Sequence, residues 1–571
     1  MTNETVVEML NDERIVPAGE AVIHESSEAV GTSLARATTI LAVGNITSRL
    51  LGFAKEILLS NYFGAGRAVD AFQIAITVPQ DLFDLAINGH VNSALVPVLS
   101  EYAAQNRREL WRLVSALLGL VLLATSAFVL VLELLAPQII ALYRGTNPAV
   151  WAIDANVQMF LPHMGIIARG QGISREAFTL TVELLRLTAP AFIFQSLFAV
   201  VSGLLYALKR FTWPAFAAAL FNGTIVVTMV LLAPFIGIQR AALGFLLGAL
   251  LQLVLQFGGL RGESIRLQLR GLLRHPGMRR IGILYIPVMF SLILDIFIRL
   301  FSYNLASQAG DGNIAYMNWA TSLREFPLGL VGTAISIAIL PTLARQALRE
   351  DTRQDFADTL GQGVRLALVL IVPAVVGMFA VAGPLIGLVF ERGAFTAADT
   401  NVTSIVLRLY LIGIPFAAVD LLLIFAFYAL KDTLTPALIG VVSLLCYVVI
   451  ALLLKQNYGF LSLMIADSLK HVIHMTICII LLRRRLGGLG SQRLPITLLK
   501  VALATTVMAL VTYALVQSAR ELWPVEGLTQ RAILVLMPSL LGAITYFILA
   551  SLLRLNEFTW FVQALRQKIH R

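Results

Sequence analysis

The chain has 571 residues, 58% of them hydrophobic and only 13% charged, and its mean hydropathy of +0.82 lies far outside the soluble globular range. Its net charge of +10 is dispersed as short basic clusters beside apolar stretches rather than gathered on one folded face, which argues against a nucleic-acid partner. The composition points to an all-α polytopic membrane protein.

Residues 1–33 are polar and mostly acidic, with Glu4, Glu8, Asp12, Glu13, Glu20, Glu25 and Glu28. They lack a basic segment followed by an apolar core and cleavage site, and are read as a disordered cytoplasmic tail. From residue 34 onward, apolar segments long enough to cross a hydrocarbon core, roughly 20 residues each, recur about fourteen times. They lie near 35–63, 69–102, 110–142, 177–208, 212–237, 241–259, 279–308, 314–345, 362–390, 400–430, 434–454, 459–482, 496–518 and 528–553, and are called spans 1 to 14. Loops after even-numbered spans, together with both termini, carry most of the loop Lys and Arg, so the positive-inside rule places both termini in the cytoplasm. The strongest anchors are Arg261, Arg266, Arg270, Arg274, Arg279 and Arg280 in and just after the basic loop 261–278, and Arg483, Arg484, Arg485 and Arg493 after span 12.

Within these greasy stretches, charged residues at mid-membrane cost roughly 2.5–3.5 kcal/mol each, so they face water or a partner. Span 1 places Asn45, Arg49, Gly52 and Glu56 on one helical stripe, with Lys55 on another side. Span 2 carries Thr77, Asp81, Asp84, Asn88 and Asn92; span 7 carries Ser291, Asp295, Arg299 and Ser302; span 8 adds Asn318, Thr321, Arg324 and Glu325. Asp295 and Arg299 stand at i,i+4 in the favourable acid-first order. Pro79, Pro287, Pro327 and Pro415 interrupt spans and predict kinks or broken helices.

An internal repeat organises the seams. Tyr206-Ala207-Leu208-Lys209 with Pro214 recurs as Tyr428-Ala429-Leu430-Lys431 with Pro436, and Ala94-Leu95-Val96-Pro97 is echoed by Ala338-Ile339-Leu340-Pro341. Both echoes fall at the same place in a six-span unit. The predicted architecture is therefore an N-lobe over 34–260, a C-lobe over 279–485 as its pseudo-symmetric copy, and two C-terminal helices over 486–555. Parallel repeats of this kind are a transporter plan, with substrate bound between lobes that rock. The polar helices are the first two of each lobe, so the seams are expected to line a hydrated cavity; the alternative is that their charges pair as interhelical contacts.

Other features are architectural. Gly244 and Gly248 form a GxxxG pair for close helix approach, and 556–571, with Phe558, Trp560 and Phe561 among basic residues, reads as an interfacial segment. Cys446 and Cys478 imply no disulfide framework. Asp467, His471, His474 and Cys478 recur at helical spacing, but a metal site needs ligands converging from more than one helix. A polar seam against a neighbouring helix is the expected role, with no metal.

Several motifs resemble the MurJ/MviN lipid II flippases of the MOP exporter superfamily. They are Ser48-Arg49-Leu50-Leu51-Gly52-Phe53-Ala54-Lys55-Glu56, Phe63-Gly64-Ala65-Gly66, Asp70-Ala71-Phe72, Arg324-Glu325-Phe326-Pro327-Leu328-Gly329, Leu388 to Thr396 with Asp399-Thr400, and Tyr428 to Thr433 with Thr435-Pro436. The resemblance implies a non-enzymatic flippase in the bacterial cytoplasmic membrane. It would carry the undecaprenyl-pyrophosphate-linked peptidoglycan precursor to the outer leaflet by alternating access, driven by an ion or the membrane potential. It implies cationic residues for the pyrophosphate, a groove at spans 13 and 14 for the lipid tail, and possible contacts with membrane lipids and cell-wall synthesis proteins. By motif, Arg49 and Lys55 match family cations, and Asp70 matches an acid at the outer end of the gate. Phe83, Asp84 and Ser322 stand where relatives often carry arginine, so Arg299 and Arg324 are expected to supply the missing charge. Glu56, Asp81, Asp84 and Asn88 are expected as polar gate and cavity residues, and Asp295 and then Asp432 as sites for a coupling Na⁺ or H⁺.

Three rivals remain at this level. Another MOP transporter, exporting drugs or polysaccharide units, would share the plan. A membrane glycosyltransferase would need a catalytic acid pair, which the long loop 143–176 does not offer, and a transport-inactive scaffold would bind partners only.

Overall fold

The computed structural model describes residues 18–86, 95–144, 175–263, 293–348, 353–487, 494–522 and 527–555. Among these residues every regular element is helical, as hydrocarbon requires of a chain that must satisfy its own backbone groups. Ten helical stretches among the described residues are long and apolar enough to span a bilayer, and one of them, Leu434–Leu486, is divided by a short turn at Gly459–Leu461.

In the first lobe the helices are α1 (Ala18–Phe63), α2 (Arg67–Ala86), α3 (Val96–Gln105), α4 (Arg107–Arg144), α5 (Arg175–Thr188), α6 (Ala191–Ala207), α7 (Thr212–Leu231) and α8 (Gln239–Gly259). In the second they are α9 (residues 293–308), α10 (Asn313–Pro327), α11 (Ala334–Gln346), α12 (Arg353–Ala380), α13 (Ala382–Phe390), α14 (Ala397–Ala429), α15 (Leu434–Tyr458) and α16 (Ser462–Leu486), followed by α17 (Leu494–Leu522) and α18 (Leu528–Leu552). Helix α1 starts at Ala18, inside the segment expected to be a disordered tail. Ala18, Ala21, Glu25, Glu28 and Ala29 are strong helix formers and carry the helix past the apolar span. Residues 1–17, the interfacial segment 556–571 and nearly all of the basic loop 261–278 lie outside the described residues.

The GxxxG pair does what its spacing predicts. A Cβ on Gly244 would stand 2.9 Å from the Ile225 Cα and one on Gly248 2.9 Å from the Phe221 carbonyl, so α8 lies backbone-close on α7. The repeat is visible in the backbone too. Lys209 and Lys431 both adopt φ 59°, and each closes a helix with the same two bonds: Lys209 N–H to Tyr206 O at 2.9 Å and Arg210 N–H to Leu205 O at 2.8 Å, matched by Lys431 to Tyr428 at 2.9 Å and Asp432 to Phe427 at 2.9 Å. This is a Schellman end with lysine where glycine is usual; its cation sits favourably at the negative end of the helix dipole. At Pro327 the missing N–H interrupts the helical ladder, and the next six residues, Leu328–Thr333, form a π-helical turn before α11 resumes.

The cores show how the lobes meet. One apolar cluster joins them, holding Leu59, Phe72 and Ile140 from the first lobe with Ile314, Trp319, Phe390 and Phe395 from the second. At the other end each lobe has its own core, around Leu99, Leu110 and Leu204 in the first and Leu343, Phe356 and Phe427 in the second. The shared core lies toward the loops after odd-numbered spans, the less basic end; the separate cores lie toward the basic end. The apolar core that holds residues of both lobes thus lies at the less basic end. Outside the lobes, α17 and α18 pack on each other and on α12.

Candidate functional site

At the less basic end two motifs grip each other across the lobes. The Ala394 N–H donates to the Asn61 carbonyl at 2.9 Å, so the loop after α13 pairs by backbone with the end of α1. Gly64 (φ 59°) and Gly393 (φ 56°) make this approach possible, because a Cβ on either would overlap the facing chain at Ala394 or Asn61. Beside them the Asp70 carboxylate accepts from the backbone N–H of Gly312 at 2.6 Å and of Ala315 at 2.9 Å. It thus caps the N-terminus of α10 from the opposite lobe, where the helix dipole favours an anion. Arg67 pairs with Asp311 at 2.5 Å, and Asn304 Nδ2 and Ser307 Oγ donate to the carbonyls of Leu142 and Tyr143 at 2.6 and 3.3 Å. Asp70 thus bridges the two lobes at this end.

The same interlobe contact reaches α18. Arg531, near the start of α18, donates to the Glu391 carboxylate at 2.9 Å and to the Glu391 carbonyl at 2.5 Å, while Thr400 holds the other carboxylate oxygen at 2.5 Å. Thr396 and Asp399 form a capping box that starts α14. The motif from Leu388 to Thr400 is therefore a joint between gate, lobe and α18. Neither Arg531 nor Asn61 carries a sequence signal of its own; only the facing backbone reveals them.

Deeper in, the seams of spans 2 and 7 meet directly. Arg299 pairs with Asp81 across the lobes at 2.9 Å, and Tyr143 donates to the other Asp81 oxygen at 3.1 Å. Arg299 thus serves Asp81 and not Asp295, the i,i+4 partner that spacing suggested. The reason is depth: the Asp81 side chain is 4% exposed and has more to lose unpaired, whereas Asp295 is exposed to solvent. Lys55, expected to point away from Glu56, reaches it at 2.9 Å. Arg324 is also engaged. It pairs with Asp467, which Lys470 reaches from α16 at 2.8 Å, and stacks 4.0 Å over the Tyr410 ring. Asp467 is absent from the expected cavity set because its partner Arg324 lies 143 residues away in sequence.

Arg49 differs from the other three cations. It is exposed, pairs with no carboxylate among the described residues, and lies beside Gly329 in the π-helical turn, its Nη1 3.8 Å from where a Cβ would stand. Asp84 stands half-buried one turn beyond Asp81, and Asn88 lies outside the described residues.

Asp432 is an ionised cap. Its carboxylate accepts from the Thr435 N–H at 3.0 Å and hydroxyl at 2.8 Å and pairs with Arg485 at 2.6 Å. These bonds, the Thr435 N–H foremost, hold it below the usual carboxylate range, so it has no proton to exchange near neutral pH. On α16, His474 Nδ1 lies 2.6 Å from Asp420 of α14 and 3.6 Å from Cys478 Sγ, a buried trio. Asp420, His474 and Cys478 thus bring three potential metal ligands from two helices within 4.8 Å of one another, while Asp467 pairs with Arg324 and Lys470. Outside the lobes, an apolar cavity of about 440 Å³ opens between α12, α17 and α18, lined by Pro373, Gly377, Met508, Gly542, Tyr546 and Phe547 among others.

Two lobes closed at one end by capped helices and paired glycine loops, with α17 and α18 flanking an apolar groove, match a known plan. The family model described as lipid II flippase MurJ matches residues 59–533. The chain belongs to the lipid II flippase MurJ family. The lipid II flippase MurJ of Burkholderia cenocepacia is 29% identical over 72% of this chain and 76% of its own length. A probable lipid II flippase MurJ of Vibrio cholerae is 28% identical over 92% and 97%. Among solved structures, a MurJ in an inward closed conformation aligns with a TM-score of 0.71 at 21% identity, covering 90% of this chain and 98% of that one. An inward-facing multidrug resistance MATE transporter of the MOP superfamily aligns with a TM-score of 0.61 at 14% identity, covering 77% and 95%. The MurJ fold is thus common to this chain, which by its family is a multi-pass membrane transporter rather than an enzyme.

Proposed function

We propose that the chain flips lipid II, the undecaprenyl-pyrophosphate-linked peptidoglycan precursor, from the inner to the outer leaflet of the bacterial cytoplasmic membrane by alternating access. The observation that carries this is the grip between the lobes at the less basic end, with Arg49 facing Gly329 of the opposite lobe and pairing with no carboxylate among the described residues. A diphosphate is best held by a guanidinium, whose planar fork gives charge-assisted bidentate bonds. Arg299 and Arg324 form a second tier, because each must first leave Asp81 or Asp467. Lys55 is likewise held by Glu56. The apolar groove between α12, α17 and α18 suits a polyprenyl tail that stays in lipid while the head crosses. Asp295, exposed one turn from Arg299, is the site proposed for a coupling Na⁺ or H⁺, and the bias of Lys and Arg among the loops supports both termini lying in the cytoplasm.

Expression in cells depleted of their lipid II flippase tests this. The parent chain is expected to restore growth. Arg49→Ala is expected to slow flipping by about 10–100-fold, the equivalent of roughly 1.5–3 kcal/mol for a hydrogen bond to a charged group. No rescue by a well-expressed parent would refute the substrate assignment, and full activity of Arg49→Ala would refute the site. If flipping in vesicles is indifferent to Na⁺, pH and potential, Asp295 has no coupling role.

A further inference from the structure

Arg144, the last residue of α4, is 1% exposed, yet its Nε and Nη2 have no hydrogen-bond partner among the described residues. A buried guanidinium with idle donors is costly. Its neighbour is the gate acid: Arg144 and Asp70 act on each other electrostatically, but they stand beyond ion-pair distance, because both Asp70 oxygens are committed to the Gly312 and Ala315 N–H groups of the other lobe. Asp311 also acts on both, but is taken by Arg67. The end of α4 is held against the gate by Asn304 and Ser307, which donate to Leu142 and Tyr143.

We infer that Arg144 is the alternate partner of Asp70: when the lobes part at this end, Asp70 loses its two backbone donors on the C-lobe and pairs with Arg144 on its own lobe. The inference rests on the alternating-access reading above. Without Arg144, opening would strand a buried carboxylate; with it, the cost of breaking the cap is offset by satisfying the idle guanidinium. Arg144 is therefore a positioning residue that makes the gate bistable, and it touches no substrate. Its removal favours the shut gate twice over, by deleting the open-state pair and by relieving the shut state of an unpaired buried cation.

The test is a distance measurement across the gate. Spin labels are placed at exposed Thr179 and Ala398 by substitution to cysteine, with Cys446 and Cys478 replaced by serine, and the protein is studied in phospholipid vesicles by pulsed electron resonance. The parent is expected to show short and long distances, for shut and open gates. Arg144→Gln should cut the long-distance fraction about tenfold, Arg144→Lys should restore most of it, and in an Asp70→Asn background Arg144→Gln should have a clearly smaller effect, since only the relief of the buried cation is left. An unchanged long-distance fraction in Arg144→Gln, or the same loss with and without Asp70, overturns the inference while leaving alternating access intact. A parent chain with no long-distance population in any condition overturns both.

Discussion

Replacing Gly393 with alanine is expected to leave the chain folded and abolish most of its flipping. The residue sits at φ 56°, where an L side chain costs roughly 1–2 kcal/mol, and the new Cβ would overlap the Asn61 carbonyl of the opposite lobe. The overlap with Asn61 is felt only when the gate is shut, since a parted gate removes Asn61 from contact. The open state should gain at the expense of the shut one by about tenfold or more, 1.4 kcal/mol being tenfold. Labels at Thr179 and Ala398 should then report more of the long distance, the opposite sign to Arg144→Gln. Gly64→Ala, at φ 59° and facing Ala394, should behave alike. Gly66→Ala, whose Cβ would meet nothing within 4 Å, is the control. Equal activity of Gly393→Ala and Gly66→Ala would show that the glycine loop does not seal the gate.

Much of this was legible in the sequence, for a physical reason. Lipid admits few ways to satisfy a backbone, so the apolar segments foretold helices, and the Tyr-Ala-Leu-Lys echoes foretold duplicated lobes because a helix end with a left-handed residue is a local structure that both copies retain. The polar seams were legible as faces but not as partners. Helical spacing gave Asp295 to Arg299 and separated Lys55 from Glu56; the fold instead gives Asp81 to Arg299 and Glu56 to Lys55. Which carboxylate wins an arginine depends on depth and on the facing helix, and neither is written in local spacing. The same holds for Asp467, Arg144 and Arg531: their partners come from other parts of the chain. The motifs around Gly64 and Gly393 each carried a strong family signal, yet that they touch is visible only in three dimensions.

The seam pair makes the sharpest energetic prediction, because its partners are unequally buried. The Asp81 side chain is 4% exposed and that of Arg299 40%. Arg299→Ala leaves a nearly buried carboxylate with only the Tyr143 hydroxyl, and breaking a buried pair in this way costs about 3–5 kcal/mol, toward the lower end here because the departing cation is partly hydrated. Asp81→Asn keeps the Tyr143 bond and releases Arg299 toward water, so it should cost far less, and the double variant should recover most of the loss. Unfolding by sodium dodecyl sulfate in mixed micelles measures the order: Arg299→Ala least stable, then the double variant, then Asp81→Asn. Function should follow a different order. In Asp81→Asn the guanidinium is available to a diphosphate without first breaking an ion pair, so binding of lipid II to purified protein should tighten by about tenfold, within the range of a charged hydrogen bond. Flipping should nevertheless slow, since the interlobe pair that re-forms as the head departs is gone. If Asp81→Asn is the more destabilising change, Arg299 is not the group that keeps Asp81 buried, and the seam is a packing contact rather than a charge lock that the substrate opens.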